Sequence, residues 1–210
     1  MFPIDIPKGT TIDSLLMKVL PETHARFVRD DAPKDELHVT LRLEGGATYA
    51  VRVKGRELTV REDDTAADAP VSLWVSVAKS SLQLVLDDWL GPKRFVPKAT
   101  PPGGMVVMTD PRILKRLMMI SGRLELAVTD FEGARVAMTV GAGNAAKKGI
   151  DTEDPDAVIE AKMATVEQLL ALTMAPEEIL AGGHVVLRGK SFLAMQFALA
   201  IAPFFPAQKR

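Results

Sequence analysis

The stretch ATVEQLLALTMAPEEILAGGHVVLRGKSFLAMQFALAIAPFF, residues 164–205, decides how the chain is read. It divides into an amphipathic helix, a short helix opened by Pro176, a strand and a closing helix. Between Phe192 and Phe205 the only strongly polar side chain is Gln196. A helix apolar all round lies in a core, lines an apolar cavity or meets a membrane. The run from 192 to 205 is 14 residues, short of the roughly 20 that span a bilayer. Burial of this helix is therefore the expectation.

Working outward, the rest of the chain alternates strands and helices. Thr10 or Thr11 caps a helix through Ile12, Leu15, Leu16 and Val19, which Pro21 ends or kinks, and a second short helix carries Ala25, Phe27 and Val28. Leu37, Val39, Leu41 and Leu43 then alternate with polar residues, the mark of a half-buried strand. Gly45-Gly46 turns this strand into Tyr49, Val51 and Val53, and Lys54-Gly55 turns again into residues 57–60. The polar loop 61–70 leads to a fourth strand, 71–77. Ser80 or Ser81 caps a helix with Leu82, Leu86, Trp89 and Leu90, ended by Gly91-Pro92. Residues 91–104, with four prolines and three glycines, form a loop or linker. Asp110-Pro111 starts a helix through Ile113, Leu114, Leu117 and Ile120. Strands at 123–128 and 135–140 follow, then a second polar loop, 141–155, and a strand at 157–160.

This order repeats. A strand pair, polar loop, strand, helix, short helix and strand occur once up to residue 128 and again from 123 to 187. The loops DDTAADAPV and DTEDPDAV each introduce a strand, and Ser121-Gly122-Arg123-Leu124 answers Gly182-Gly183-His184-Val185. The expected division is therefore 8–120 and 121–206, which together can form one continuous domain, with strand 123–128 claimed by both halves.

Val158-Ile159 on a strand, Thr165-Val166-Glu167-Gln168-Leu169-Leu170-Ala171-Leu172 on a helix, Pro176-Glu177-Glu178-Ile179-Leu180, the run from Ala181 to Gly189, and Phe192-Leu193-Ala194-Met195 together resemble the sterol-carrier-protein type-2 family. Both halves resemble it, the first more diverged and loop-expanded, the second without the initial helices. The resemblance implies an α+β fold, antiparallel sheets with helices packed on one face, pseudo-duplicated. It also implies a hydrophobic tunnel for a lipid, fatty acyl chain or sterol. The tunnel wall expected from it is Leu169, Leu172, Met174, Ile179, Leu180, Phe192, Met195, Phe197 and Leu199. The second half lacks a clear third strand, and its Phe- and Met-rich helix could fill a tunnel instead of lining it.

Composition narrows the alternatives. The formal net charge of −1 supplies no electrostatic footprint for nucleic acid. One Tyr and two Trp offer little base-stacking surface. The absence of cysteine removes disulfides and thiolate chemistry and fits a cytoplasmic setting, and residues 1–16 lack the pattern of a signal peptide. Gly183-His184-Val185-Val186-Leu187-Arg188-Gly189-Lys190-Ser191 has five residues between its glycines where a phosphate loop needs four. Gly189 frees a turn instead, and Ser191 caps the helix. Gly141-Ala142-Gly143 lacks the third glycine and the βαβ setting of a dinucleotide site. His24, His38 and His184 share no ligand spacing, and the pairs Asp63-Asp64, Asp87-Asp88 and Glu177-Glu178 are adjacent residues that do not share a helix face.

The chain is therefore expected to bind or transfer an apolar ligand without catalysis, cofactor or metal. Transient membrane contact and a homodimer are both open. The alternative is a ligand-free protein–protein interaction or dimerisation module that presents Phe204-Phe205-Pro206 and the Met-rich segment 117–120. Whether apolar side chains point inward around a void or outward on an exposed face separates the two.

Overall fold

The structure, a computed structural model, describes residues 9–28, 34–62, 73–89, 110–142, 154–170, 173–174 and 176–202. Helix α1 (12–27) opens on Thr11, whose Oγ1 accepts the Ser14 N–H at 3.1 Å. Pro21 neither ends nor breaks it. The helix passes from Ile12–Ser14 through a wider π-helical turn, Leu15–Val19, into Leu20–Phe27. Widening the turn just before the ring relieves the helix where proline supplies no N–H.

Strands β1 (Glu36–Glu44), β2 (Thr48–Lys54) and β3 (Glu57–Glu62) form the expected antiparallel meander. Strand β4 (Leu73–Ala78) returns beside β1 in parallel. Helix α2 joins Lys79–Leu84 to Val85–Trp89. Its N-cap is Ala78, with no side-chain cap bond, so Ser80 and Ser81 lie inside the first turn and do not cap it. Helix α3 (Pro111–Leu117) starts as the sequence indicates, with Asp110 Oδ1 accepting the Arg112 N–H at 2.8 Å. Strands β5 (Gly122–Phe131) and β6 (Ala134–Ala142) make a hairpin. Then come β7 (Ala157–Ala161), α4 (Met163–Leu170), α5 (Pro176–Ala181), β8 (Val185–Gly189) and α6 (Ser191–Ile201). Of the loop expected at 61–70, the first two residues continue β3 instead, and the rest, with the loop expected at 91–104, most of the loop at 141–155, and Phe204-Phe205-Pro206, lies outside the described residues.

The eight strands among the described residues share one sheet in the order β3-β2-β1-β4-β6-β5-β7-β8. The α+β reading holds, but the sheet is mixed: β1 with β4 and β5 with β7 are parallel pairs. The sheet runs without a break across the boundary expected at residue 120. Its pairing pattern recurs. The series β3-β2-β1-β4-β6 and the series β4-β6-β5-β7-β8 have the same sequence of antiparallel, antiparallel, parallel and antiparallel neighbours. The strands common to both series are β4 and β6. Strand 123–128, expected to play that part, pairs with β6 and β7 and not with β4. On the side of β6 away from β5 stands β4.

Period-two alternation puts Leu37, Leu43, Tyr49, Val51, Val53, Leu58, Val60, Leu73, Val77, Val140 and Leu124 on one face. Ile12, Leu15 and Leu16 of α1, Leu86 of α2, Ile113, Leu114 and Leu117 of α3, and Leu193 and Phe197 of α6 complete a single core with them. The opposite face carries charge. Arg135 pairs with Glu125 and Glu160, and Arg188 pairs with Glu160 at 2.8 Å, a ladder running from the β5–β6 hairpin to β8.

Helix α1 is pinned to the sheet by polar contacts. Tyr49 Oη donates to Asp13 Oδ1 at 2.5 Å, and burial pushes the phenol pKa up. Arg56 donates from Nη2 to the Ala25 carbonyl at 2.7 Å. His24, fully buried, donates from Nε2 to the Gly55 carbonyl at 3.0 Å. Burial lowers the His24 pKa, outweighing the Gly55 bond and the Asp110 charge, which raise it. The unfolded chain therefore takes up this proton at higher pH than the folded one, so His24 erodes stability as pH falls below about 6.5. Urea melts between pH 7.5 and 5.5 will show stability declining on acidification, and His24→Gln will flatten that decline.

Candidate functional site

The region expected to carry function is the packing of α5, β8 and α6 against β5 and β7. Its positioning begins at Asp156, just before β7. The Asp156 carboxylate accepts the Arg123 N–H at 2.9 Å and the Lys190 ammonium at 2.7 Å, and its backbone carbonyl accepts the Lys190 N–H at 2.8 Å. One residue thus ties the start of β5 to the point where β8 becomes α6. The Lys190 contact first, and the Arg123 N–H after it, hold the Asp156 pKa below the usual carboxylate range. Ser191, expected as the cap of α6, is its first helical residue instead. The N-cap is Lys190, which makes no side-chain cap bond.

Two glycines permit the close approaches around this junction. Gly189 has φ +73°, and a Cβ there would lie 2.4 Å from the Asp156 carbonyl oxygen. Gly122 has φ +153°, and a Cβ there would lie 2.8 Å from Leu193 Cδ2. Leu193 therefore seats on bare backbone at the start of β5.

Helix α6 is not buried all round. Leu193, Ala194, Phe197, Ala198 and Ala200 face inward, while Phe192, Met195 and Leu199 are 73%, 40% and 56% exposed. These three stand at i, i+3 and i+7, one stripe on the outer side. Burial of the whole helix was the wrong expectation. A helix laid on a sheet covers one face only, and nothing in an all-apolar sequence says which residues that face will take.

Helix α5 packs beside α6. Its end is closed by Gly183 at φ +71°, with the His184 N–H bonded to the Ile179 carbonyl at 3.3 Å and the Gly182 N–H to the Glu178 carbonyl at 2.7 Å. Around this end lies an open hollow of about 510 Å³ lined by Thr173, Met174, Glu178, Ala181, Gly182 and His184. The Thr165 hydroxyl donates to the His184 carbonyl at 3.4 Å and holds α4 against the start of β8.

The nine residues expected to line a tunnel are thus dispersed. Ile179 is buried, and Phe197 is part of the packed core. Leu169, Met174 and Leu180 are half-buried, with Met174 lining the hollow. Phe192, Met195 and Leu199 face out, and Leu172 lies outside the described residues. Sequence reasoning missed Asp156, Gly122, Thr173 and Glu178 as site residues, and found in His184 only a histidine without ligand spacing. A signal for Asp156 was present in Asp154-Pro155-Asp156 leading into a strand. No short-range pattern links it to Lys190, 34 residues on. Among the described residues no group of three or more His, Asp or Glu could hold a metal ion.

Gly189→Ala is expected to cost more than about 1 kcal/mol through strain and the backbone clash. Asp156→Ala is expected to cost about 1–2 kcal/mol, a charge-assisted pair discounted because Lys190 is largely exposed. The Asp156 contribution is present above about pH 4 and is lost as pH falls through the depressed folded pKa. Denaturant melts of both variants check these values, and hydrogen exchange is expected to localise the loss of protection to α6.

No curated protein sequence matches the chain. Among solved structures, sterol carrier protein 2 from Yarrowia lipolytica in its apo form is similar at 17% identity and a TM-score of 0.30, covering 58% of this chain and 88% of that one. A family model described as the SCP-2 sterol transfer family matches residues 107–201, from just before α3 to the last residue of α6. It is to the SCP-2 sterol transfer family that this C-terminal part of the chain is similar.

Proposed function

We propose that the chain is a non-catalytic carrier that binds or transfers an apolar ligand: a lipid, a fatty acyl chain or a sterol. One observation carries this reading. The family match, residues 107–201, coincides with the α5–α6 region, where the chain holds a hollow and more large apolar side chains than its core takes up. Leu169, Met174 and Leu180, with Phe192, Met195 and Leu199, are the residues of the expected wall left to meet a ligand. Each methylene removed from water contributes about 0.8 kcal/mol, so apolar contact alone gives useful affinity. The two halves, 8–120 and 121–206, are both read as SCP-2-like, a reading supported by the recurrent strand pairing across the shared β4 and β6. No helix among the described residues is long and apolar enough to cross a membrane. With a cysteine-free composition, the cytoplasm is the proposed setting.

Mass spectrometry of an organic extract of the purified protein, beside native mass spectrometry, tests the carrier reading. The expected result is one reproducible, stoichiometric lipid, depleted in Phe192→Asp and Met195→Asp. Both side chains are exposed, so the variants keep the fold. An empty protein that also fails to take up a fluorescent fatty acid or sterol refutes it.

A second reading rests on the exposure of the α6 stripe itself. Phe192, Met195 and Leu199 form an apolar contact surface that a homodimer would cover, or that would touch a membrane during delivery. Sedimentation of the wild type and of Phe192→Asp at micromolar concentration separates the two. A dimer abolished by the substitution supports the dimerisation module, and a monomer in both leaves the stripe to the carrier.

A further inference from the structure

We propose that the outer edge of β8 is a contact surface for a second copy of this chain. The two copies pair β8 to β8 in antiparallel sense and run their sheets together. The contact goes beyond the carrier reading, does not depend on it, and uses a surface distinct from the α6 stripe.

Strand β8 is the last in the sheet order, and all of its residues are described. Val185–Gly189 runs against Ala157–Ala161 in unbroken register, with no bulge. Among the described residues no strand stands on its other side, and Val186, Arg188 and Gly189 are exposed. Proteins blunt such an edge with lysine, proline, a bulge or a covering element. The opposite edge, β3, follows this rule. Glu57, Arg61 and Glu62 are exposed along it, and α1 packs beside it. Strand β8 has no lysine, proline or bulge, and its one charge, Arg188, is bound to Glu160 of β7 at 2.8 Å.

The sheet itself contains the kind of neighbour that such a strand takes. In the series β3-β2-β1-β4-β6 the place of β8 is held by β6. The outer side of β6 pairs with β5, in antiparallel sense. In the second series the sheet stops where that neighbour would stand. A second copy supplies it by symmetry, because a two-fold contact brings a surface patch against itself. An axis normal to the sheet makes the two β8 strands antiparallel and keeps the helices of both copies on one face.

Centred on Leu187, the pairing uses the whole of β8. Val185 then stands opposite Gly189 of the second copy, and Val186 opposite Arg188. Leu187 meets its own copy at the axis. It is half-buried and packs against the core, so the two side chains carry that core across the contact. Val186, 55% exposed in one copy, is covered by the arginine stem opposite. No two arginines oppose each other, and each Arg188 keeps its own Glu160, so like charges do not weaken the pair.

Sedimentation of the full chain over the micromolar range, with hydrogen exchange read on β8 at low and high concentration, tests the contact. The expected result is a dimer in which the outward-facing amides of residues 185–189 gain protection as it forms. Val186→Arg sets like charges opposite each other on both sides of the axis and is expected to weaken the dimer about tenfold. Val186 is exposed and stands opposite Glu160 in its own sheet, so the variant keeps the fold, which circular dichroism checks. A monomer throughout the range overturns the inference. So does a dimer whose β8 amides stay unprotected, the result expected if the copies meet through the α6 stripe. A dimer that Val186→Arg leaves unchanged overturns it as well. Any lipid extracted from the wild type is expected in Val186→Arg too, so failure of the contact and failure of the carrier reading are separate results.

Discussion

The antiparallel pairing of β4 with β6 is the contact on which the rest of the architecture depends. It places Leu73, Trp74, Val75, Ser76 and Val77 against residues 138–142 and so joins the meander of the first half to the hairpin of the second. Without it, each half would leave an unpaired edge lined by Val75, Val77 and Val140, side chains that belong to the core. An apolar edge with open backbone donors and acceptors is a site for wrong pairing. Joined, the two halves bury a common core under α1, α2, α3 and α6. This is also why the recurrent pairing pattern needs only eight strands: β4 and β6 serve in both series.

At the other end of the sheet the governing constraint is closeness of backbone. Gly122 removes the side chain that would hold α6 away, Gly189 removes the one that would push the end of β8 off the Asp156 backbone, and Asp156 joins the strands and the helix start through backbone and carboxylate together. The placement of α6 follows from these contacts more than from its own sequence, which is apolar on every side and carries little directional information. Once seated, the helix has committed Leu193 and Phe197 to the core and left Phe192, Met195 and Leu199 outside. In a carrier, that division separates the residues that hold the fold from those able to exchange partners.

The hollow beside α5 arises from the same economy. A short helix must stop, and it stops on a Gly-Gly pair whose second member takes the left-handed conformation that closes the helix end. Two consecutive residues without side chains leave a depression, and the residues bordering it become accessible together. Thr173, Glu178 and His184 meet there because the chain turns, although each is unremarkable alone.

The sequence by itself determined the local elements with good fidelity. Alternation at Leu37, Val39, Leu41 and Leu43 gave β1, Asp110-Pro111 gave the start of α3, and Gly45-Gly46 gave a hairpin. Each of these is dictated by neighbours within a few residues, through steric freedom, capping bonds or the two-residue period of a strand. The run of residues from Val158 to Met195 also carried the family resemblance. Only the tertiary structure decided which strands are parallel, that β6 and not strand 123–128 stands beside β4, and which face of α6 is covered. It alone brought Asp156 to Lys190, and Glu178 and Thr173 to His184. These outcomes turn on contacts between segments far apart in the chain, where many partners of equal hydrophobicity compete and only the closed geometry of the sheet chooses among them.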